Sequence, residues 1–203
     1  MIDVDQVQSD PLVARARTVA QELLGLTLPR RWAHTQGVAA ATAYLIGELI
    51  APQATTLFAA AWLHDIGYAP GVAMTGFHPL DGAQYLRKQG FPGQVVSLVA
   101  FHTGAQFEAD RRGLTTRLNG FAAPDPVLLD ALTCADTTTS ADGAPVTAEA
   151  RLTDIFDRYP PGSPVSDAVH SSAPELLAAV RRCQQRIVSQ PERSDAVIDR
   201  HGV

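Results

Sequence analysis

Apolar residues along this chain recur at three- and four-residue spacing much more than at alternate positions. That is the period of helices with one buried face, so the predicted fold class is all-α, a single-domain helical bundle. The first predicted helix runs from about Pro11 to Leu24, and the second, long and alanine-rich, from Pro29 to about Ile50. A third spans about Ala54 to Ile66 and closes at Gly67. The next opens at HPLDGAQYLRKQG, with Pro79 at a favoured first position, Asp81 in the positive first turn and Gly90 as a stop. A fifth covers about Pro92 to Phe101. After a polar connection from Gly104 to Pro124, Asp125 caps a sixth helix that reaches about Asp136. Two more lie near Thr147 to Arg158 and Pro174 to Val188. The segment PPGSPVSD reads as a loop inside one domain of residues 10–190, because helical patterning resumes without a shift in composition. Residues 1–9 and 191–203 carry little to bury and are expected to be flexible ends.

Composition narrows the possibilities. The 203 residues are 46% hydrophobic, enough to bury a proper core in one domain. The formal charge is -5 and Lys and Arg are scattered, which excludes a long nucleic acid as partner. Cys134 and Cys183 form neither a CxxC motif nor a disulfide framework, which fits a reducing cytoplasm. The acidic, polar MIDVDQVQSD is unlike a signal peptide, and no apolar run approaches the ~20 residues of a membrane span, so no membrane association is expected.

Six side chains stand out by position. His34 shares a face with Arg31 and Gly37, where the missing side chain would let another helix approach closely. His64 and Asp65 end the apolar run AAWLHDIGYAPG at the place where Lys, Arg or Gly is usual. His78 precedes Pro79 and projects from a helix entrance. His102 continues the buried stripe of Val95, Leu98 and Val99, and Asp136 that of Leu129 and Leu132. Singly, each has a plain structural reading. Together they predict four inward imidazoles and two inward carboxylates from five helices, and an unpaired buried carboxylate costs several kcal/mol. A cation removes that cost. Imidazole with carboxylate suits a borderline transition metal, and six ligands exceed what one catalytic ion takes, so two divalent ions about 3.5–4 Å apart are expected, bridged by a carboxylate. Consecutive helical residues diverge by about 100°, but at a helix end the chain can turn so that His64 and Asp65 reach one centre.

The ordered set His34, His64-Asp65, His78, His102, Asp136 resembles the six-ligand form of the HD-domain superfamily of metal-dependent phosphohydrolases. RRWAHTQGV, LHDIG, FHPLDGA and LTCAD carry the likeness over roughly residues 30–140. The resemblance implies that His34, His64, Asp65 and Asp136 hold one ion and Asp65, His78 and His102 the other. Iron or manganese is expected, with zinc, nickel or cobalt as options. Neither a GYP tripeptide after His102 nor the extra ligands of the HD-GYP subgroup are present, which argues against a cyclic dinucleotide.

The implied reaction is cleavage of a phosphoester or phosphoanhydride of a nucleotide or other small phosphorylated metabolite by a metal-activated water. Asp65 and Arg31 are the expected catalytic residues, with Arg111, Arg112 and Lys88 as further candidate cations that read equally well as surface charges. Asp81 is a candidate to orient a ligand imidazole, or simply a helix cap. Thr137 to Thr139 are candidate pocket residues. Loops 67–77 and 103–124 are expected to recognise the rest of the substrate, with Tyr68 and Phe77 as candidates for stacking on a base, although Phe77 reads more readily as a core residue. His170 and His201 are assigned no role. Two other readings share these ligands: a di-iron oxygenase of the same fold, and a non-catalytic metal- or nucleotide-binding module. Oligomeric state is left open.

Overall fold

The computed structural model describes residues 2–47 and 49–188. The α-helices are α1 (Val4–Gln8), α2 (Pro11–Leu24), α3 (Pro29–Thr42), α4 (Ala51–Leu63), α5 (His78–Lys88) and α6 (Gly93–Phe101), followed by α7 (Ala105–Arg111), α8 (Thr115–Leu118), α9 (Pro126–Thr137), α10 (Ala148–Arg158) and α11 (Pro164–Val188). No strand occurs among the described residues beyond an isolated bridge between Thr139 and Pro145, so the all-α expectation holds. None of the described helices is long and apolar enough to cross a membrane.

Helix α4 is the axis of the bundle. Ala54, Leu57, Phe58, Ala59, Ala60, Ala61 and Leu63 are all buried, so the helix is apolar nearly all round and is enclosed by α1, α2, α3, α6 and α9. Its alanines let those neighbours approach closely, which brings the helix ends that surround it within side-chain reach of one another.

Several predicted boundaries move, each for a local reason. The second predicted helix stops at Thr42 rather than Ile50. There the carbonyls of Ala40, Ala41 and Thr42 accept from the amides of Ala43, Tyr44 and Leu45, tightening the chain into three-residue turns that carry Ile46 and Leu49 into the core. Pro52 then occupies the first turn of α4, where its missing N–H is harmless. The expected polar connection after Gly104 is largely helical: Ala105 and Ala109 are buried one turn apart in α7, a face too small to register as a hydrophobic pattern. PPGSPVSD is in part the start of α11, which begins at Pro164 and runs through Pro174. Proline inside a helix costs about 3 kcal/mol or more, but the buried stripe Ala168, Ser172, Leu176, Ala179, Val180 and Cys183 continues past it unbroken. Residues 1–9 are not devoid of anything to bury. Asp3 accepts from the amides of Asp5 and Gln6 to cap α1, and Val7 enters the core. The tail 191–203 lies outside the described residues.

Beyond α4 the chain makes a short 3-10 turn, Ile66–Tyr68, that packs directly on the start of α5. A side chain at Gly67 would overlap the carbonyl oxygen of His78. Gly67→Ala is therefore expected to destabilise the fold by about 1–3 kcal/mol, as overpacking does, and to lower Tm by several degrees in a thermal melt. An unchanged Tm would show that this turn can be displaced without penalty.

Candidate metal centre

Five elements deliver the six side chains. His34 comes from the middle of α3, and His64 and Asp65 lie just past the last residue of α4. His64 keeps helical angles, whereas Asp65 has φ -102° and ψ 2°, so the chain turns between them and both side chains face the same centre. His78 opens α5, His102 follows α6, and Asp136 lies in the last turn of α9. His34, His64, Asp65, His102 and Asp136 are buried, and the His78 side chain is 15% exposed.

The ring nitrogens are sorted by the backbone. Nδ1 of His34 lies 2.9 Å from the Ser140 carbonyl oxygen, Nδ1 of His64 2.8 Å from that of Ala61, and Nδ1 of His102 2.7 Å from that of Val99. A carbonyl only accepts, so each Nδ1 carries the proton and donates. In the neutral ring Nε2 is then a bare acceptor.

Those acceptors point at carboxylates and at the fourth imidazole. His34 Nε2 is 2.9 Å from Asp136 Oδ1, and His78 and His102 bring their Nε2 atoms within 3.1 Å of each other. Buried His64 Nε2 has no hydrogen-bond partner and lies 3.4 Å from Asp65 Oδ2. Protons or cations must fill such gaps. The side chains fall into two groups, His34 with His64 and Asp136, and Asp65 with His78 and His102, each with candidate ligand atoms within 4.8 Å of one another. Nitrogen and carboxylate oxygen without thiolate are donors suited to borderline divalent ions.

Charge follows the same arrangement. Burial would raise the Asp65 carboxyl, but Arg31 and then His64 hold it well below the ordinary carboxylate range. Burial would likewise raise Asp136, yet the hydrogen bond and charge of His34, with His64 behind, bring it far down. Burial pushes His78 and His102 below the usual imidazole value, so both are neutral. His64 goes the other way: burial alone would lower it, but Asp65 and Asp136 raise it from 6.5 to about 9.

A match to the HD domain spans residues 31–161, more than half of the chain. The chain belongs to the HD domain family. No curated protein matches it, and no solved structure does. The superfamily is one of metal-dependent hydrolases, and the clustered His and Asp side chains are compatible with an HD-type metal site.

Around the centre of this HD domain the supporting residues differ in part from expectation. Arg31 donates from a terminal guanidinium nitrogen to Asp65 Oδ2 at 2.8 Å and lies 4.0 Å over the Tyr68 ring. Asp81 neither orients a ligand imidazole nor caps α5; it accepts from the amides of Met74 and Thr75 and the Thr75 hydroxyl, tying down the loop that leads to His78. Arg111 pairs with Asp110 and Ser171, Arg112 with Glu108, and Lys88 is exposed at the end of α5, so none of the three lines the centre. Gly37 does admit a close neighbour, but it is the turn around Thr139 and Gly143 rather than a helix. Of the three threonines only Thr137 lines the cavity, since Thr138 and Thr139 donate back into α9. His170 packs on Phe156, and His201 lies outside the described residues.

A cavity of about 100 Å³ opens onto the centre. Loops 67–77 and 103–124 contribute Tyr68, Thr103, Gly104, Ala105 and Glu108, but most of the remaining lining comes from α10 and α11, including Arg151, Leu152, Ile155, Val169 and Leu176. Sequence reasoning missed that wall because those helices carry no motif. It also missed Thr103, whose hydroxyl donates to Asp136 Oδ2. Thr103 has φ 46° and ψ 47°, an outlier for a β-branched residue, held where His102 leaves α6 and turns toward α9.

A metal-ligating imidazole has to be neutral, so the raised His64 value makes loading proton-linked. Below 6.5 the proton competes fully, and as pH rises toward about 9 the competition fades and metal affinity increases. Adding Mn(II) to metal-free protein in weak buffer at pH 7.5 is expected to release about one proton per chain. No release, or an affinity that does not change between pH 6.5 and 9, would contradict this assignment.

Proposed function

We propose that the chain is a metal-dependent phosphohydrolase acting on a phosphoester or phosphoanhydride of a nucleotide or other small phosphorylated metabolite, with two divalent ions held by His34, His64, Asp65, His78, His102 and Asp136. The observation that carries this reading is the convergence of buried, mutually facing acceptors at the floor of a cavity. Iron or manganese is the ion pair we favour for the nitrogen and oxygen donor set, with zinc, nickel or cobalt compatible.

Asp65 supports the two-ion reading through its geometry. Its Oδ2 lies 3.4 Å from His64 Nε2 and 3.8 Å from His34 Nε2, while Oδ1 lies 3.4 Å from His78 Nε2, so one oxygen addresses each group. When bound, such ions supply Lewis acidity to a phosphoryl oxygen and make hydroxide available from water near neutral pH. Arg31 fixes the bridging carboxylate, and Tyr68 fixes Arg31. This makes Arg31 a positioning residue that acts through Asp65. Thr103 does the same for Asp136, and the Nδ1 hydrogen bonds to Ser140, Ala61 and Val99 set the rings with Nε2 toward the centre. Burial of the floor excludes bulk water and strengthens every charge interaction there.

The reading is tested with protein purified without oxygen. Metal content and phosphate release from a phosphoester panel are measured for wild type, Asp65→Ala and His102→Ala. Wild type is expected to hold two ions and release phosphate anaerobically, Asp65→Ala to lose both ions with turnover falling to background, and His102→Ala to lose one ion. Full metal occupancy in Asp65→Ala would remove the bridging role. Oxygen consumption by an iron-loaded form that releases no phosphate would replace hydrolysis by oxygenation.

A further inference from the structure

We propose that the substrate of this site is a singly phosphorylated molecule with a compact apolar body, and that Ile155, Val165 and Val169 select it. The inference rests on the phosphohydrolase reading for the phosphate end and adds the identity of the other end.

The cavity is amphipathic. One part is the polar floor of Asp65, His78, His102 and Asp136. The other is contributed by α10 and α11, where Leu152, Ile155, Val165, Ala168, Val169 and Leu176 present aliphatic side chains. Ile155, Val165 and Val169 are only partly buried, so apolar surface is left for a ligand to cover. An apolar group laid on that surface gains the free energy of leaving water, whereas a hydroxylated one has to give up water hydrogen bonds there.

Charge argues against further phosphates. The lining cations are Arg31, Arg151 and Arg158. Arg31 is bonded to Asp65, and both Arg151 and Arg158 to Asp154 at 3.1 and 2.7 Å. Glu108, also in the lining, is paired with Arg112. Arg31 is matched by Asp65, but Arg151 and Arg158 share the one carboxylate of Asp154, so the lining beyond the floor keeps a single positive charge in excess, fewer than the added charges of a polyphosphate.

Size and stacking argue against a nucleoside. A volume of about 100 Å³ has room for on the order of seven to ten water-sized groups, which a phosphate and a short chain or small ring fill. A purine nucleoside, with about twice as many heavy atoms, would have to project out of the mouth of the cavity. Tyr68 offers it no platform, because the Arg31 guanidinium and the His78 ring both lie 4.0 Å from its centroid and two groups cannot share one face at that distance. Phe77 is fully buried in the core.

The test is calorimetric binding of non-hydrolysable probes to the manganese-loaded protein, using methyl-, propyl- and pentylphosphonate, 2,3-dihydroxypropylphosphonate and the methylenephosphonate analogue of adenosine monophosphate. Affinity is expected to rise about fourfold per methylene until the chain fills the cavity. The dihydroxypropyl probe is expected to bind roughly tenfold more weakly than propyl. Ile155→Asp should flatten the chain-length series while leaving methylphosphonate within about threefold, and should that variant not fold, Val169→Ser serves the same purpose. A flat series in wild type, equal binding of the dihydroxypropyl probe, or tighter binding of the adenosine methylenephosphonate than of pentylphosphonate overturns the proposal. A steep series with no phosphate released from pentyl phosphate leaves the apolar selection standing and removes the hydrolytic reading instead.

Discussion

The structure is organised around acceptors that face acceptors. Three imidazoles donate Nδ1 to backbone carbonyls, so the opposite edge of each ring brings a lone pair into a buried space already occupied by two carboxylates. Inside a protein such a constellation is unfavourable until positive charge enters it, because desolvated lone pairs and carboxylates repel and have no water to turn to. Arg31 supplies part of that charge at Asp65, and where no ion is held a proton on Nε2 of His64, whose pKa is raised to about 9, supplies more. A cation between the rings would serve Nε2 of His34, His78 and His102 together with Asp136 at once. Much of the surrounding geometry serves to keep these groups together against their repulsion.

Helix α4 makes the gathering possible. Its alanines allow α2, α3, α6 and α9 to pack close to one axis, so side chains from the middle of α3 and the ends of α6 and α9 meet where α4 terminates. The termination itself is chemical. A glycine or lysine cap would stop the helix equally well, but the turn at Asp65 directs a carboxylate back across the helix end, where one oxygen faces His64 and the other His78. Gly67 then lets α5 start against the turn, which fixes His78 opposite Asp65.

The six converging side chains were legible in the sequence because each is a polar residue at a position where helical periodicity calls for an apolar one, and that conflict is local information. His102 after Val95, Leu98 and Val99 is an example, as is Asp136 after Leu129 and Leu132. Helix existence was legible for the same reason, and α2 runs over Pro11–Leu24 as its pattern predicts. The cavity wall was not legible. Ile155 and Val169 read as ordinary apolar residues, and only tertiary packing turns part of their surface toward the floor. Pro174 misled the placement of α11, since a local penalty was outweighed by a stripe of long-range contacts. Thr103 carried no signal, because a left-handed threonine is tolerated only where surrounding structure determines it.

Floor and wall are mechanically joined through α9 and α11. Asp130, buried on α9, accepts a bidentate pair of bonds from Arg182 at 2.8 and 2.7 Å and a third from Arg186 at 3.1 Å, so α11 is anchored to the helix that carries Asp136. At its other end α11 places Ser172 against Gly104, so closely that any side chain at position 104 would crowd it, next to the turn that holds His102 and Thr103. A buried carboxylate with two arginines is costly to break from one side, since the remaining charge would be left without compensation. The apolar wall is therefore carried on a helix tied to the one that bears Asp136. On the proposed reading, the distance between a phosphate at the floor and the body of the substrate is set by two packed helices, which is why the dimensions of the cavity bear on substrate selection.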